Sequence, residues 1–257
     1  MELELSLVMD RVHSPNDFTA YLEKIHAFLM QTSKLGENFS HYYLQAGDPE
    51  EMEEMDIEAH IESATQYKVP SNFTDFLSML ASVDEAPDNE EFYILGLWNG
   101  NTDFLTASSG SKIDSFSLSI RMTSADLGGI SRSHKASVEF CFMAGDIEEY
   151  NEKKRIAESI IALGASILPF KYATFFDRAY ISSYTDMPQI VIGGSLYGRS
   201  AELDTIKGFR RQLSGDIEEI SPVQGSFDAH SPEHIQKAHR FEEELLQNHQ
   251  FRQLLLR

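Results

Sequence analysis

Glu51, Glu54, Glu58 and Glu62 recur at spacings of three, four and four, which on a helix aligns four carboxylates along one face. Residues 35–67 contain no Lys or Arg to answer them. Like charges at i,i+4 weaken a helix by about 0.2–0.5 kcal/mol per pair, so such a stripe is either a solvated face or a contact surface kept at a cost in stability. Met52, Met55 and Ala59 can seat the other side on a core, although Ile57 and Ile61 blur the pattern. With Glu50, these carboxylates are the candidate partner-binding residues. They belong to a larger block: residues 35–111 hold sixteen Asp and Glu against one base, Lys68, a charge of −15 within a chain of −20. Such a field repels nucleic acid and anionic membrane and attracts a partner with a basic cleft.

Trp98 is the only tryptophan and lies inside that block. It ends the aromatic run Phe92-Tyr93-Ile94-Leu95-Gly96-Leu97 and precedes Asn99-Gly100, a favoured hairpin turn. Core packing is the default for a lone Trp. A strand-end aromatic ringed by charge is also a candidate anchor for a protein contact, and Trp98 completes the candidate binding set.

Catalytic patterns are thin. Gly193-Gly194-Ser195-Leu196-Tyr197-Gly198-Arg199-Ser200 has the glycine spacing of a phosphate-binding loop, but Arg199 stands at the lysine position and no acidic magnesium-binding strand follows. A Gly-rich turn after a strand is the favoured reading. Tyr197 also removes the second glycine of a serine-hydrolase elbow. His230, His234 and His239 do not share a helical face and read as solvated. Cys141, the one cysteine, sits among Val138, Phe140 and Phe142 as a small hydrophobe. No catalytic residue, metal ligand or cofactor is therefore assigned. The runs Lys153-Lys154-Arg155 and Arg210-Arg211 are too short and too close to acids for a nucleic-acid surface.

The elements that must position these residues alternate between two periodicities. Strands are expected at Glu2 to Met9, Phe39 to Gln45, Glu91 to Trp98, Ser115 to Met122, Ser137 to Met143, Tyr172 to Tyr180 and Gln189 to Gly193. Helices are expected at Pro15 to Lys34, Pro49 to Gln66, Asn72 to Ser82, Glu148 to Leu163 and Pro232 to Leu256, with Ser14 and Ser231 as N-caps before proline. The mixture implies an α+β fold, a largely antiparallel sheet with helices packed on it. The chain reads as a single domain over residues 1–257, with two similar halves meeting near residues 84–90 as the variant. That variant rests on Ala46-Gly47-Asp48-Pro49-Glu50-Glu51 and Ala144-Gly145-Asp146-Ile147-Glu148-Glu149, which match at five of six positions. Gly215-Asp216-Ile217-Glu218-Glu219 repeats them more weakly. Asp as N-cap with a following Glu explains these runs better than a metal cluster does. With 257 residues, 42% hydrophobic, the acid decorates a chain able to build a core. Neither a basic, apolar leader nor a stretch of about 20 apolar residues is present, so a cytoplasmic protein is expected.

The acidic composition, the strand Glu91 to Trp98 running into Asn99-Gly100, the strand Ser117 to Met122, and Gln189 to Gly194 leading to Leu196-Tyr197-Gly198 resemble immunity proteins of bacterial polymorphic toxin systems, most nearly the immunity protein 52 family. That resemblance implies a non-enzymatic antitoxin that binds and neutralises a cognate toxin, a restriction-endonuclease-like DNase delivered by type VI secretion. A nuclease must present a positive cleft to phosphate, which agrees with the charge reading. The other readings are a nucleotide-binding protein or small enzyme using Gly193 to Ser200, and a structural or regulatory subunit that forms homo-oligomers through its C-terminal helix.

Overall fold

A computed structural model of the chain describes residues 1–10, 15–36, 39–45, 66–81, 92–98, 115–123, 136–185 and 190–256. They form two compact units, Met1–Val8 with Phe140–Arg257, and Met9–Glu139. The architecture is α+β, and among the described residues the six strand pairs with a defined register are all antiparallel.

In the second unit the strands run in the order β3 (Gln66–Lys68), β2 (His41–Gln45), β4 (Phe92–Trp98) and β5 (Ser115–Thr123). Helices α1 (Pro15–Thr32) and α2 (Phe73–Ala81) accompany them. On α1, Leu22, Ile25, Phe28 and Leu29 are buried at helical spacing. The half-polar His26 is buried with them: its Nε2 lies 2.7 Å from the Pro70 carbonyl and its ring 5.0 Å from that of Phe76 on α2.

The first unit carries the larger described core. Its strands run in the order β6 (Ala136–Met143), β1 (Glu2–Met9), β7 (Phe170–Asp177), β8 (Ser195–Arg199), β10 (Ile217–Ser221) and β9 (Phe209–Ser214). Every residue of β7 and β10 is buried, because helices cover both faces. On one face lies α3 (Ile147–Ile167), which turns Tyr150, Ala157, Ile160, Ile161 and Gly164 inward. Asp146 caps it, accepting from the Glu148 and Glu149 amides at 2.9 Å each, while the Glu149 carboxylate accepts from the Gly145 amide at 2.6 Å. This is the reciprocal carboxylate capping expected for residues 144–149. The other face holds Tyr172, Leu196, Leu203, Ile206, Ile220, Phe241, Leu245, Phe251 and Leu254 in one cluster. It joins the sheet to α4 (Ser200–Leu203), α5 (Pro232–Gln247) and α6 (His249–Leu256).

Three sequence expectations are corrected. The helix expected over 232–256 is two helices, because Asn248 is extended and its Oδ1 accepts from the Phe251 amide at 3.0 Å, capping α6. The strand expected at 189–193 is displaced to 195–199: Ile190 and Ile192 are buried, yet the Ile192 amide binds a side chain and Gly193 has φ +53°. Asn99-Gly100 lies outside the described residues; Trp98 before it pairs with Ser117 of β5. Gly215-Asp216 is not a helix cap. It is the two-residue turn between Ser214 of β9 and Ile217 of β10, with Gly215 at φ +56°.

Candidate functional site

The strand registers of the first unit build its largest polar constellation. Ala173 faces Tyr197, Tyr197 faces Glu219 and Glu219 faces Arg211, so β7, β8, β10 and β9 contribute one row of side chains to the face under α3. From α3, Lys154 and Glu158, four residues apart on one helical face, reach down onto that row. Lys154 Nζ donates to Glu219 Oε1 at 2.6 Å, Ser195 Oγ donates to the same oxygen at 2.6 Å, and Arg211 Nε donates to Glu219 Oε2 at 2.7 Å. Arg211 also pairs with Glu158. The Tyr197 hydroxyl lies 3.4 Å from both carboxylates.

Burial pushes the Glu219 carboxyl up, but Lys154, the Ser195 hydroxyl and Arg211 outweigh it and hold the group below its ordinary value. Burial, with the Glu219 and Glu158 charges, pushes Tyr197 well above its own. Glu219 is thus an ionised carboxylate with both oxygens engaged, and Ser195, only 2% exposed, donates a hydrogen bond to it. The arrangement is an ion-pair node that fixes α3 to β10 and β9. Above it opens a cleft of about 540 Å³, walled by Asn151, Lys154, Arg155 and Glu158 of α3, by Phe209 and Arg211 of β9, and by residues 223–226.

A second polar site involves the Gly-rich loop. Glu242 of α5 is buried, and its Oε1 accepts from the Ile192 and Gly193 amides at 2.7 and 3.1 Å. Its Oε2 accepts from the Tyr180 hydroxyl at 3.1 Å and from the Tyr184 hydroxyl. Burial raises both tyrosines and Glu242 adds to the rise through its hydrogen bonds and its charge, while the bond between the two hydroxyls raises Tyr180 and lowers Tyr184. Tyr184 stacks on His239 at 4.8 Å, and His239 Nε2 lies 2.9 Å from Ser183 Oγ. His234 and His239 are therefore half-buried rather than solvated, while His230 is exposed.

Gly193 to Ser200 does not have the form of a phosphate loop. Residues 195–199 are a buried strand, the amides of residues 192 and 193 hold Glu242, and Arg199 is engaged by Asp216 at 2.7 Å and by the Ala165 carbonyl at 3.1 Å. Only a four-residue helix follows. The candidate residues Glu50, Glu51, Glu54, Glu58 and Glu62 lie outside the described residues, as do the first copy of the Ala-Gly-Asp run and the 84–90 boundary. Trp98 is placed by its backbone alone, between Tyr43 of β2 and Ser117 of β5. Sequence reasoning missed the Lys154–Glu219–Arg211 node. The Gly-Asp turn signals the β9–β10 hairpin, but the register shifts by one residue between Ile217 and Glu218, and that shift, which no sequence signal marks, puts Arg211 rather than Gln212 opposite Glu219.

No helix of the described residues is long and apolar enough to cross a membrane. No family model and no curated protein matches the chain. Among solved structures, the Pseudomonas aeruginosa T6SS protein PA0821 is similar over 94% of this chain and 72% of its own, at 10% sequence identity and a TM-score of 0.47.

Proposed function

We propose that this chain is a cytoplasmic, non-enzymatic immunity protein that captures and neutralises a cognate toxin with a basic surface, a DNase of the restriction-endonuclease type delivered by type VI secretion. The observation that carries this reading is the acidic block: sixteen acids and one base across residues 35–111. Charge at that density steers a positive partner and raises its association rate, while an apolar centre sets the dissociation rate. Glu50, Glu51, Glu54, Glu58 and Glu62 supply the steering and Trp98 the centre. The ion-pair node of the first unit is consistent with a rigid binding scaffold, since its charges are engaged with one another.

The test begins with capture of partners from the native cytoplasm at low and high salt. The retained basic protein is then purified and assayed as a DNase with increasing amounts of this chain. Stoichiometric inhibition is expected. The triple variant Glu51→Lys, Glu54→Lys, Glu58→Lys should slow association about tenfold or more while changing dissociation little. A captured protein without nuclease activity, or an active nuclease left uninhibited by equimolar chain, would overturn the reading. An unchanged association rate in the triple variant would remove the steering role alone.

A further inference from the structure

Strand β9 ends the sheet, and among the described residues it is paired on one side only, to β10. Five of its six residues are exposed and the sixth is half-buried. Natural sheets usually blunt such an edge with proline, a covering segment, charged side chains or a bulge; in β9 the register shift falls at the Ser214 end, and Phe209 to Gln212 stay in unbroken register with β10. Here the edge carries Phe209, 50% exposed, and two arginines. Because Phe209 pairs with Ser221 and Arg211 with Glu219, Phe209 and Arg211 share one face of the strand, and both open onto the cleft beneath α3.

The cleft's charge is unlike that of the rest of the chain. Lys154, Arg155 and Arg211 face it against Glu158 and Glu219, in a molecule whose net charge is −20. Glu219 is engaged by Lys154 and Arg211, and Glu158 by Arg211. Arg155 is exposed; its Nε donates to the Asn151 carbonyl at 3.3 Å, which leaves its terminal amines directed to solvent and available for a carboxylate. Half of the Arg211 side chain is also open.

We infer that the β9 edge and its cleft take an extended, acidic segment of a partner protein, which adds a strand antiparallel or parallel to β9 and lays alternate carboxylates toward Arg155 and Arg211. Backbone hydrogen bonds to the edge supply the affinity, the two guanidinium groups select acid over base, and Phe209 covers the apolar side chains between. The charge of this surface is opposite to that of the acidic block, so it is a second contact surface and does not depend on the toxin reading. A second copy of this chain is a poorer occupant, because it sets four arginines about one dyad and joins two chains of −20 each.

The probe is a fluorescein-labelled peptide of alternating Glu and Val as long as β9, six residues, read by anisotropy with the full chain at about 0.15 M salt. The overall negative charge of the chain opposes non-specific binding of such a peptide. Saturable binding is expected, with the Lys–Val peptide failing to bind and N-methylation of the valine amides weakening binding about tenfold or more. Arg155→Glu and Phe209→Asp, both at exposed positions, should each weaken it by a similar factor at unchanged thermal stability. Equal binding of the lysine peptide or of the N-methylated peptide would overturn the inference. So would the absence of saturable binding, including the case in which sedimentation shows the 29.1 kDa chain doubled in mass and the edge occupied by itself.

Discussion

Glu219 lies directly opposite Arg211 in the β9–β10 ladder, and the Arg211 guanidinium closes on its Oε2 at 2.6 Å while Lys154 holds Oε1 from the helix above. A cross-strand pair has thus become the point at which a helix is fixed to the end of a sheet. Tyr197, on the opposite side of Glu219 in the same row, is buried and shields the carboxylate from water on that side. Low local dielectric strengthens each of these contacts and makes the loss of any one partner costly.

Lys154→Met should therefore destabilise the first unit by about 3 kcal/mol or more, because it leaves the Glu219 carboxylate buried with a single cation, itself half open to solvent. The double variant Lys154→Met with Glu219→Leu is expected to lose less than the sum of the two single variants. Chemical denaturation of the four proteins forms the cycle, and strict additivity would show that the two groups do not interact.

The same node dictates the response to acid. Glu219 is held below its ordinary value of 4.5, so its stabilising contribution is complete above that value and is lost as pH falls through the lower folded-state value. Glu219→Gln should accordingly be less stable than the parent at neutral pH, with the gap narrowing in acid. At the alkaline end, burial pushes Tyr172 up to about 12 from 10.0, so its contribution is present below pH 10 and declines as pH rises toward 12. A melting temperature that stayed level across both ranges would contradict these assignments.

Much of the fold was legible because periodicity and caps act locally. Glu2–Met9 alternates and forms β1 over those residues, and Asp146 caps α3 where the Asp–Glu pattern placed a helix start. The failures arise where the same local string serves two geometries. Gly-Asp-Ile-Glu-Glu caps a helix after Gly145 but turns a hairpin after Gly215, and what separates them is the strand-forming Phe209–Ser214 on the preceding side. Gly193 offers a similar case. Its loop has phosphate-loop spacing but reads in sequence as a plain Gly-rich turn; the amide does bind an anion, and that anion is Glu242, 49 residues distant in sequence. No local pattern could name that partner. The node at Glu219 was illegible for the same reason: its members come from residues 154, 195, 211 and 219 and meet only through the register.

Glu242 allows the loop's role to be measured. Its Oε1 is the acceptor for two backbone amides, whereas Oε2 serves two tyrosine hydroxyls that can rotate to accept instead of donate. Glu242→Gln can keep all four contacts by turning its oxygen to the amides and its nitrogen to the hydroxyls, and should cost about 1 kcal/mol. Glu242→Leu leaves two buried amides without an acceptor and should cost about 3 kcal/mol or more. Equal losses in the two variants would mean that packing, not hydrogen bonding, holds the loop.

The occupied amides also predict that magnesium–ATP produces no thermal stabilisation, and they decide which variants can be used to ask. Gly198→Val is unsuitable as a binding-loop control, because even a Cβ at residue 198 lies 3.0 Å from Leu203 Cδ1. Arg199→Ala tests the loop from its exposed end. A nucleotide-induced rise in melting temperature that disappeared in Arg199→Ala would restore the nucleotide reading.

Two glycines in left-handed conformations separate backbone strain from crowding. Gly193 and Gly215 have φ of +53° and +56°, so alanine brings a similar conformational penalty, about 1–2 kcal/mol, to each. At Gly215 a Cβ meets nothing within 4 Å, and that penalty is the whole expected loss. At Gly193 a Cβ comes within 2.7 Å of Phe176 Cβ and 3.1 Å of Tyr180 Cδ1, which adds overpacking of about 1–3 kcal/mol. Relief of that clash would move residue 193 away from Glu242, so Gly193→Ala combined with Glu242→Leu should be less destabilised than the two losses added together. Gly215→Ala combined with Glu242→Leu should be additive, and calorimetry of the six proteins distinguishes the two cases.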